Sequence, residues 1–274
     1  MKLGLFLRNM GPQSARETIV ECARAAEAAG IDDLWVADHI AIPPDNAEGS
    51  EGRYLDPLAT LAYLAGVTTR VGLGTGVLVV PYRPALATAK WVATIQELSG
   101  GRLLLGVGSG WMDAEFRAAG VAKAERGKIT NATLEFLNRC FAADVVEANG
   151  QRFLFKPRPP RPPIFVGGAP PHAFRRAVRF GEGWMPVGGD AKALQPVIAE
   201  LREAAAAASK PAPEVVVLAP LPLDDPPRAA AQAHDLYQAG ATRLVHMWRY
   251  PNAAAFAHAA EIMTLQVRSG VAGR

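Results

Sequence analysis

The residues able to do chemistry in this chain stand at the ends of short apolar runs. Asp38-His39 follows 33-DLWVA-37. A histidine beside a carboxylate can hydrogen-bond a bound ring or relay a proton near neutral pH. The run 70-RVGLGTGVLVVPYRP-84 sets Gly72, Gly74 and Gly76 two residues apart among β-branched and aliphatic neighbours and delivers Thr75, Gly76 and Val77 at its turn. Glycines so spaced share one face of a strand. That face serves either tight packing inside a small barrel or a flat ring laid against bare backbone. The run 102-RLLLGVG-108 leads into Gly108, Ser109, Gly110 and Trp111, and 163-PIFVGG-168 ends in Gly167, Gly168 and Ala169. Two glycines ahead of a helix start either form a plain tight turn or expose backbone N–H groups to an anion, with no lysine needed. Trp184, Met185, His246, Met247 and Trp248 close further runs. Glycine-rich ends walled by tryptophan suit a large flat cofactor.

Stepping those ends into place requires strands at 2–8, 33–37, within 70–84, and at 102–108, 163–168, 183–187, 214–221 and 242–248. Helical patterns lie between them. Ser14 and Glu17 have capping-box spacing, Gly30 ends the first helix, and Asp56-Pro57 opens the second. The alternation breaks over 109–162, where a short helix near 112–119 and a longer one near 128–142 precede polar, proline-rich sequence. The pattern predicts an α/β fold, a (β/α)8 TIM barrel spanning 1–274 as one domain, with an insertion between strands four and five. In such barrels the strands' C-terminal ends carry the active site. The tail 269–274 is expected to be loose.

Composition excludes several classes. Net charge is only +3 with no basic block, which gives no footprint for nucleic acid. No apolar stretch approaches a membrane span, and the N-terminal run is short for a signal peptide. Cys22 and Cys140 make neither a disulfide framework nor a metal cluster, so a reducing, cytoplasmic setting is expected. The histidines show no metal-ligand spacing, and no metal is expected. There is no G-x-S-x-G elbow, Walker A loop or G-x-G-x-x-G fingerprint.

The stretches 34-LWVADHI-40, 54-YLDPLATLAYLAGVTTRVGLGTGVLVVPYRPALATAK-90, 99-SGGRLLLGVGSGWMDAEFRAAG-120, Arg126-Gly127, 163-PIFVGG-168 and 181-GEGW-184 together resemble the luciferase-like monooxygenase superfamily. Within it the chain is most similar to the small deazaflavin oxidoreductases that use coenzyme F420. The resemblance implies a homodimer and a bulge with a non-prolyl cis peptide at Gly76-Val77, backing the cofactor ring and favouring the ring reading of the glycine face. It implies that His39 and Asp38 serve catalysis, His39 also touching the cofactor. Thr75, Gly76, Val77, Gly108, Ser109, Gly110, Trp111, Gly167, Gly168 and Ala169 would hold the cofactor, the last three at its phosphate. Trp111 and Trp248 would border a small-molecule substrate. Trp111 stands where sugar-phosphate dehydrogenases of the superfamily carry glutamate, which argues against a sugar phosphate. The expected activity is hydride transfer. An FMN-dependent monooxygenase with a separate flavin reductase is the second reading, and a flavin-binding protein without catalysis the third.

Overall fold

Short strands rich in Leu, Ile and Val alternate with helices and close into a ring. The computed structural model describes residues 1–47, 49–188 and 190–272. In chain order the elements are β1 (Lys2–Phe6), α1 (Arg16–Ala29), β2 (Asp33–Val36), α2 (Pro57–Val67), β3 (Gly72–Thr75), β4 (Leu78–Val79), α3 (Ala85–Leu98), β5 (Leu103–Gly108), α4 (Asp113–Ala118), α5 (Arg126–Ala142), β6 (Val145–Ala148), β7 (Gln151–Leu154), β8 (Ile164–Gly167), α6 (His172–Phe180), β9 (Gly183–Met185), α7 (Ala191–Ala207), β10 (Glu214–Ala219), α8 (Pro226–Gln238), β11 (Arg243–His246), α9 (Ala253–Ile262) and α10 (Arg268–Ala272). The order β1, β2, β3, β5, β8, β9, β10, β11 returns to β1 through parallel pairings, with β4 continuing β3. This is a (β/α)8 barrel with the expected insertion after β5.

Strand alternation builds two apolar layers. Leu3, Leu5, Leu34, Val36, Leu73, Leu105 and Val107 point outward into the layer shared with the helices. Phe6, Trp35, Phe165, Met185, Val216, Leu218 and Val245 fill the interior. Trp35 decides the question left open by the glycine run. A Cβ at Gly74 would lie 2.3 Å from Trp35 Cε3, and one at Gly72 would lie 2.4 Å from Asp33 Oδ1. Those two glycines make room for protein side chains, which corrects the ring reading there. Of the three, only Gly76 reaches the cavity described below.

Strand three is broken at its upper end. Gly74 lies opposite Leu104, yet Leu78 lies opposite Val107, so four steps on one strand span three on its neighbour. The bulge contains the Gly76-Val77 peptide, which is cis.

Four local expectations are corrected. Ser14 does not cap α1; its buried hydroxyl donates to Gly11 O at 2.6 Å and accepts from Arg53 Nε at 2.7 Å. Its partner is 39 residues away, beyond any local pattern. Residues 145–154 are a β-hairpin, turned by Asn149-Gly150 with both φ positive. The strand expected over 183–187 stops at Met185, although Val187 bridges Leu218. The tail to Ala272 is helical; the last two residues lie outside the described range. Asp56 does cap α2, accepting from Ala59 N at 2.9 Å. Among the described residues no helix is long and apolar enough to cross a membrane.

Candidate functional site

At the C-terminal end of the barrel lies a cavity of about 600 Å³. Asp38, His39, Gly76, Val77, Gly108, Ser109, Gly110, Trp111, Gly167, Gly168 and Ala169 all line it. Val77 is seated between two bare backbones: a Cβ would meet it at 2.6 Å from Gly108 and at 2.9 Å from Gly167. Gly110 has φ 75° and passes so close to Val79 and Phe116 that a side chain there would collide. The Ser109 hydroxyl accepts from Thr130 Oγ1 at 3.2 Å, tying the β5 end to α5. Trp111 stands at the mouth, 67% exposed.

Three expected roles change. Thr75 is fully buried and its hydroxyl donates to Gly106 O at 2.6 Å, so it clasps β3 to β5 behind the wall and does not face the cavity. Trp248 lies off the cavity, stacked on His246 at 4.4 Å and on Phe256 at 5.4 Å. Asp38 reaches the wall, but its carboxylate is occupied. It accepts from Arg83 on both oxygens and from Val79 N at 2.8 Å. Burial raises the Asp38 carboxyl, opposed by the Arg83 bonds and charge. It fixes the wall and has no free face for a proton.

His39 is differently placed. Its Nδ1 lies 3.0 Å from Glu115 Oε2, and its ring packs edge-on against Tyr54 and Trp111. Glu115, buried in α4, also accepts from Ile40 N at 2.7 Å, Ala41 N at 3.1 Å and Tyr82 Oη at 3.1 Å. Burial alone would raise the Glu115 carboxyl. The bond from His39 and those from the Ala41 and Ile40 amides outweigh it and hold the group below its ordinary range. The phenol of Tyr82 is raised, first by burial and then by the charge of Glu115, so it stays a donor. Sequence reading missed Glu115 because its partner is 76 residues away. A signal existed: Met112, Glu115 and Phe116 share the buried side of one short helix, an odd position for a lone carboxylate.

Part of the cavity lining is cationic. Arg126, His172 and Arg176 line it beside Gly168 and Ala169, at the start of α6. Arg126 donates to Lys123 O and Arg176 to Asn131 Oδ1, and neither pairs with a carboxylate among the described residues. Burial, and then the charge of Arg126, lowers the Arg176 guanidinium. Two cations without a carboxylate, beside a helix N-terminus, form a receptor for an anionic group. Arg176 was legible as the residue one turn into the helix that opens the glycine-rich end.

The sequence pattern described as luciferase-like monooxygenase matches residues 1–270. An uncharacterized protein of Mycobacterium tuberculosis is 34% identical over 212 residues, covering 71% of this chain and 73% of that one. A protein named F420-dependent glucose-6-phosphate dehydrogenase, from Amycolatopsis mediterranei, is 30% identical over 210 residues, 72% of this chain and 62% of its own. The crystal structure of monooxygenase RslO1 from Streptomyces bottropensis superimposes with a TM-score of 0.82 at 20% identity, covering 98% of this chain and 99% of that one. A barrel broken by a bulge at strand three, a glycine-lined cavity at its C-terminal end and a match along nearly the whole length lead to one conclusion: the chain belongs to the luciferase-like monooxygenase family of oxidoreductases.

Proposed function

We propose that the chain is a coenzyme F420-dependent oxidoreductase that moves hydride to or from a small organic substrate. The observation that carries this reading is one cavity lined both by His39 and by Arg126 and Arg176, cations that pair with no carboxylate among the described residues. That donor set suits a cofactor with a flat ring and an anionic arm. The relative named for coenzyme F420 supports the deazaflavin. The deazaflavin, when bound, supplies the carbon that gives or takes hydride.

The protein's part is binding, orientation and proton handling. Arg126, Arg176 and the backbone at Gly168 and Ala169 would hold the anionic arm. Gly76 and Val77, with Gly108 and Ser109, would back the ring, and Val77 keeps its place because Gly108 and Gly167 leave it room. His39 would hydrogen-bond near the reactive edge or relay a proton. Trp111 would border the substrate and shed water from the mouth. The sugar phosphate in the relative's name is not carried over, since Trp111 replaces the glutamate expected of such enzymes.

An FMN-dependent monooxygenase working with a separate reductase is the second reading. The family's description favours it, and the same cationic lining suits the terminal phosphate of FMN. Titrating the purified protein with the deazaflavin and with FMN separately, by cofactor fluorescence, decides between them. Tight binding of the deazaflavin alone supports the lead reading. Tight binding of FMN alone replaces it with the second, and binding of neither overturns both. A homodimer is part of the proposal: α2 and α3 leave Tyr63, Leu86, Trp91 and Leu98 exposed. Sedimentation as a monomer at micromolar concentration would remove it.

A further inference from the structure

We propose that Glu115 is a positioning residue that fixes the tautomer of His39, so that the imidazole carries its proton on Nδ1 and turns a bare Nε2 to the cavity. The argument is one of donors and acceptors. Glu115 Oε1 is filled by the amides of Ile40 and Ala41, at 2.7 and 3.1 Å. Oε2 takes the Tyr82 hydroxyl at 3.1 Å and faces His39 Nδ1 at 3.0 Å. A carboxylate can only accept, so the hydrogen between them belongs to Nδ1. Nε2 then has a lone pair and no partner among the described residues. The Glu115 side chain is 1% exposed and that of His39 21% exposed, so the pair is anchored at the acid and open at the base.

The other groups around the ring leave this arrangement alone. Tyr54 and Trp111 meet it edge-on with ring centroids at 5.0 and 6.4 Å, and Asp38, next in sequence, is committed to Arg83. A free histidine side chain prefers the opposite tautomer, with the proton on Nε2, so the carboxylate has to impose this one. Glu115 also fixes the ring's angle, because the same carboxylate pins the turn that follows His39. The tautomer rests on geometry alone. Its meaning for turnover rests on the function proposed above: the cavity is offered a hydrogen-bond acceptor.

Glu115→Gln is the informative variant. The two amides hold the side-chain oxygen, which leaves the new NH2 facing Nδ1 as a donor. Nδ1 must then accept, and the proton moves to Nε2. Histidine-selective 15N labelling of the cofactor-free protein reads this directly, with the His39 signals assigned by their loss in His39→Gln. The wild type should show a pyrrole-type Nδ1 and a pyridine-type Nε2 when neutral, and Glu115→Gln the reverse. Tyr82→Phe, which removes a donor from Oε2 and leaves the His39 bond, should keep the wild-type pattern. In the loaded enzyme, Glu115→Gln should slow turnover about 100-fold, the low end for a lost acid–base contribution, and Glu115→Asp should restore part of it. A wild type with its proton on Nε2 overturns the proposal whether or not the variants fold, and so does a folded Glu115→Gln with unchanged His39 signals. Failure of both cofactors to bind would sink the proposed function and leave the tautomer result standing.

Discussion

The guanidinium of Arg83 grips both carboxylate oxygens of Asp38, Nη1 on Oδ2 at 2.6 Å and Nη2 on Oδ1 at 2.8 Å. The same Nη2 reaches Asp56 Oδ2 at 2.8 Å. One side chain thus joins the end of β2, the turn after β4 and the cap of α2, the segments that build one wall of the cavity. Asp38→Asn should cost about 3 kcal/mol in urea unfolding, the low end for breaking a buried ion pair, because Arg83 keeps Asp56. Unchanged stability with lost turnover would instead return Asp38 to a role in proton transfer.

Gly74 and Trp35 form a second obligate pair. Gly74→Ala puts a methyl 2.3 Å from a ring carbon of a fully buried indole. The expected cost is about 3 kcal/mol by denaturant melting, the upper range for overpacking. In a Trp35→Leu background the same substitution should cost much less, since the collision partner is gone. Additive costs would mean that the indole does not set the glycine.

Anion recognition is separable from ring recognition. Arg176→Gln should weaken FMN or deazaflavin binding about 10- to 100-fold, the worth of a charge-assisted hydrogen bond. Binding of riboflavin, which carries no phosphate, should not change. An equal loss for riboflavin would move Arg176 from the anion to the ring.

His246 predicts acid sensitivity. Burial pushes its imidazole down to about 4, and its Nδ1 accepts from Leu221 N at 2.9 Å. The unfolded chain binds this proton near pH 6.5 and the folded chain does not, so stability is full above 6.5 and lost as pH falls toward 4. At pH 5 the loss from this group is about 2 kcal/mol. His246→Gln, which can keep an acceptor for Leu221, should flatten that part of the pH profile of urea unfolding.

The barrel was legible because strand and helix periods are local, and because Asp56-Pro57 and the glycine ends punctuate them where structure does. Most of the cavity lining followed from knowing which strand ends face it. What escaped was pairing across the chain. Ser14 looks like a cap until Arg53 is beside it, Glu115 looks like a surface acid until His39 is, and Gly74 looks like a ring seat until Trp35 is. The 145–154 hairpin was missed for another reason. Its strands are short and polar, and the Asn149-Gly150 turn signal was outweighed by the prolines that follow.

The bulge in strand three turns one strand into two halves of opposite phase. Below it Leu73 faces the helices and Gly74 the interior; above it Leu78 faces the helices and Val79 the cavity. Residue parity flips across a single inserted position. The segment therefore keeps count as much as it keeps composition. Deleting Gly76 would remove the inserted position and the bulge with it, so that Leu78 would still face the helices and Val79 the cavity, on a strand that now pairs with β5 step for step. Substitutions there change the wall; a one-codon deletion would erase the bulge that shapes it and leave its two sides where they are.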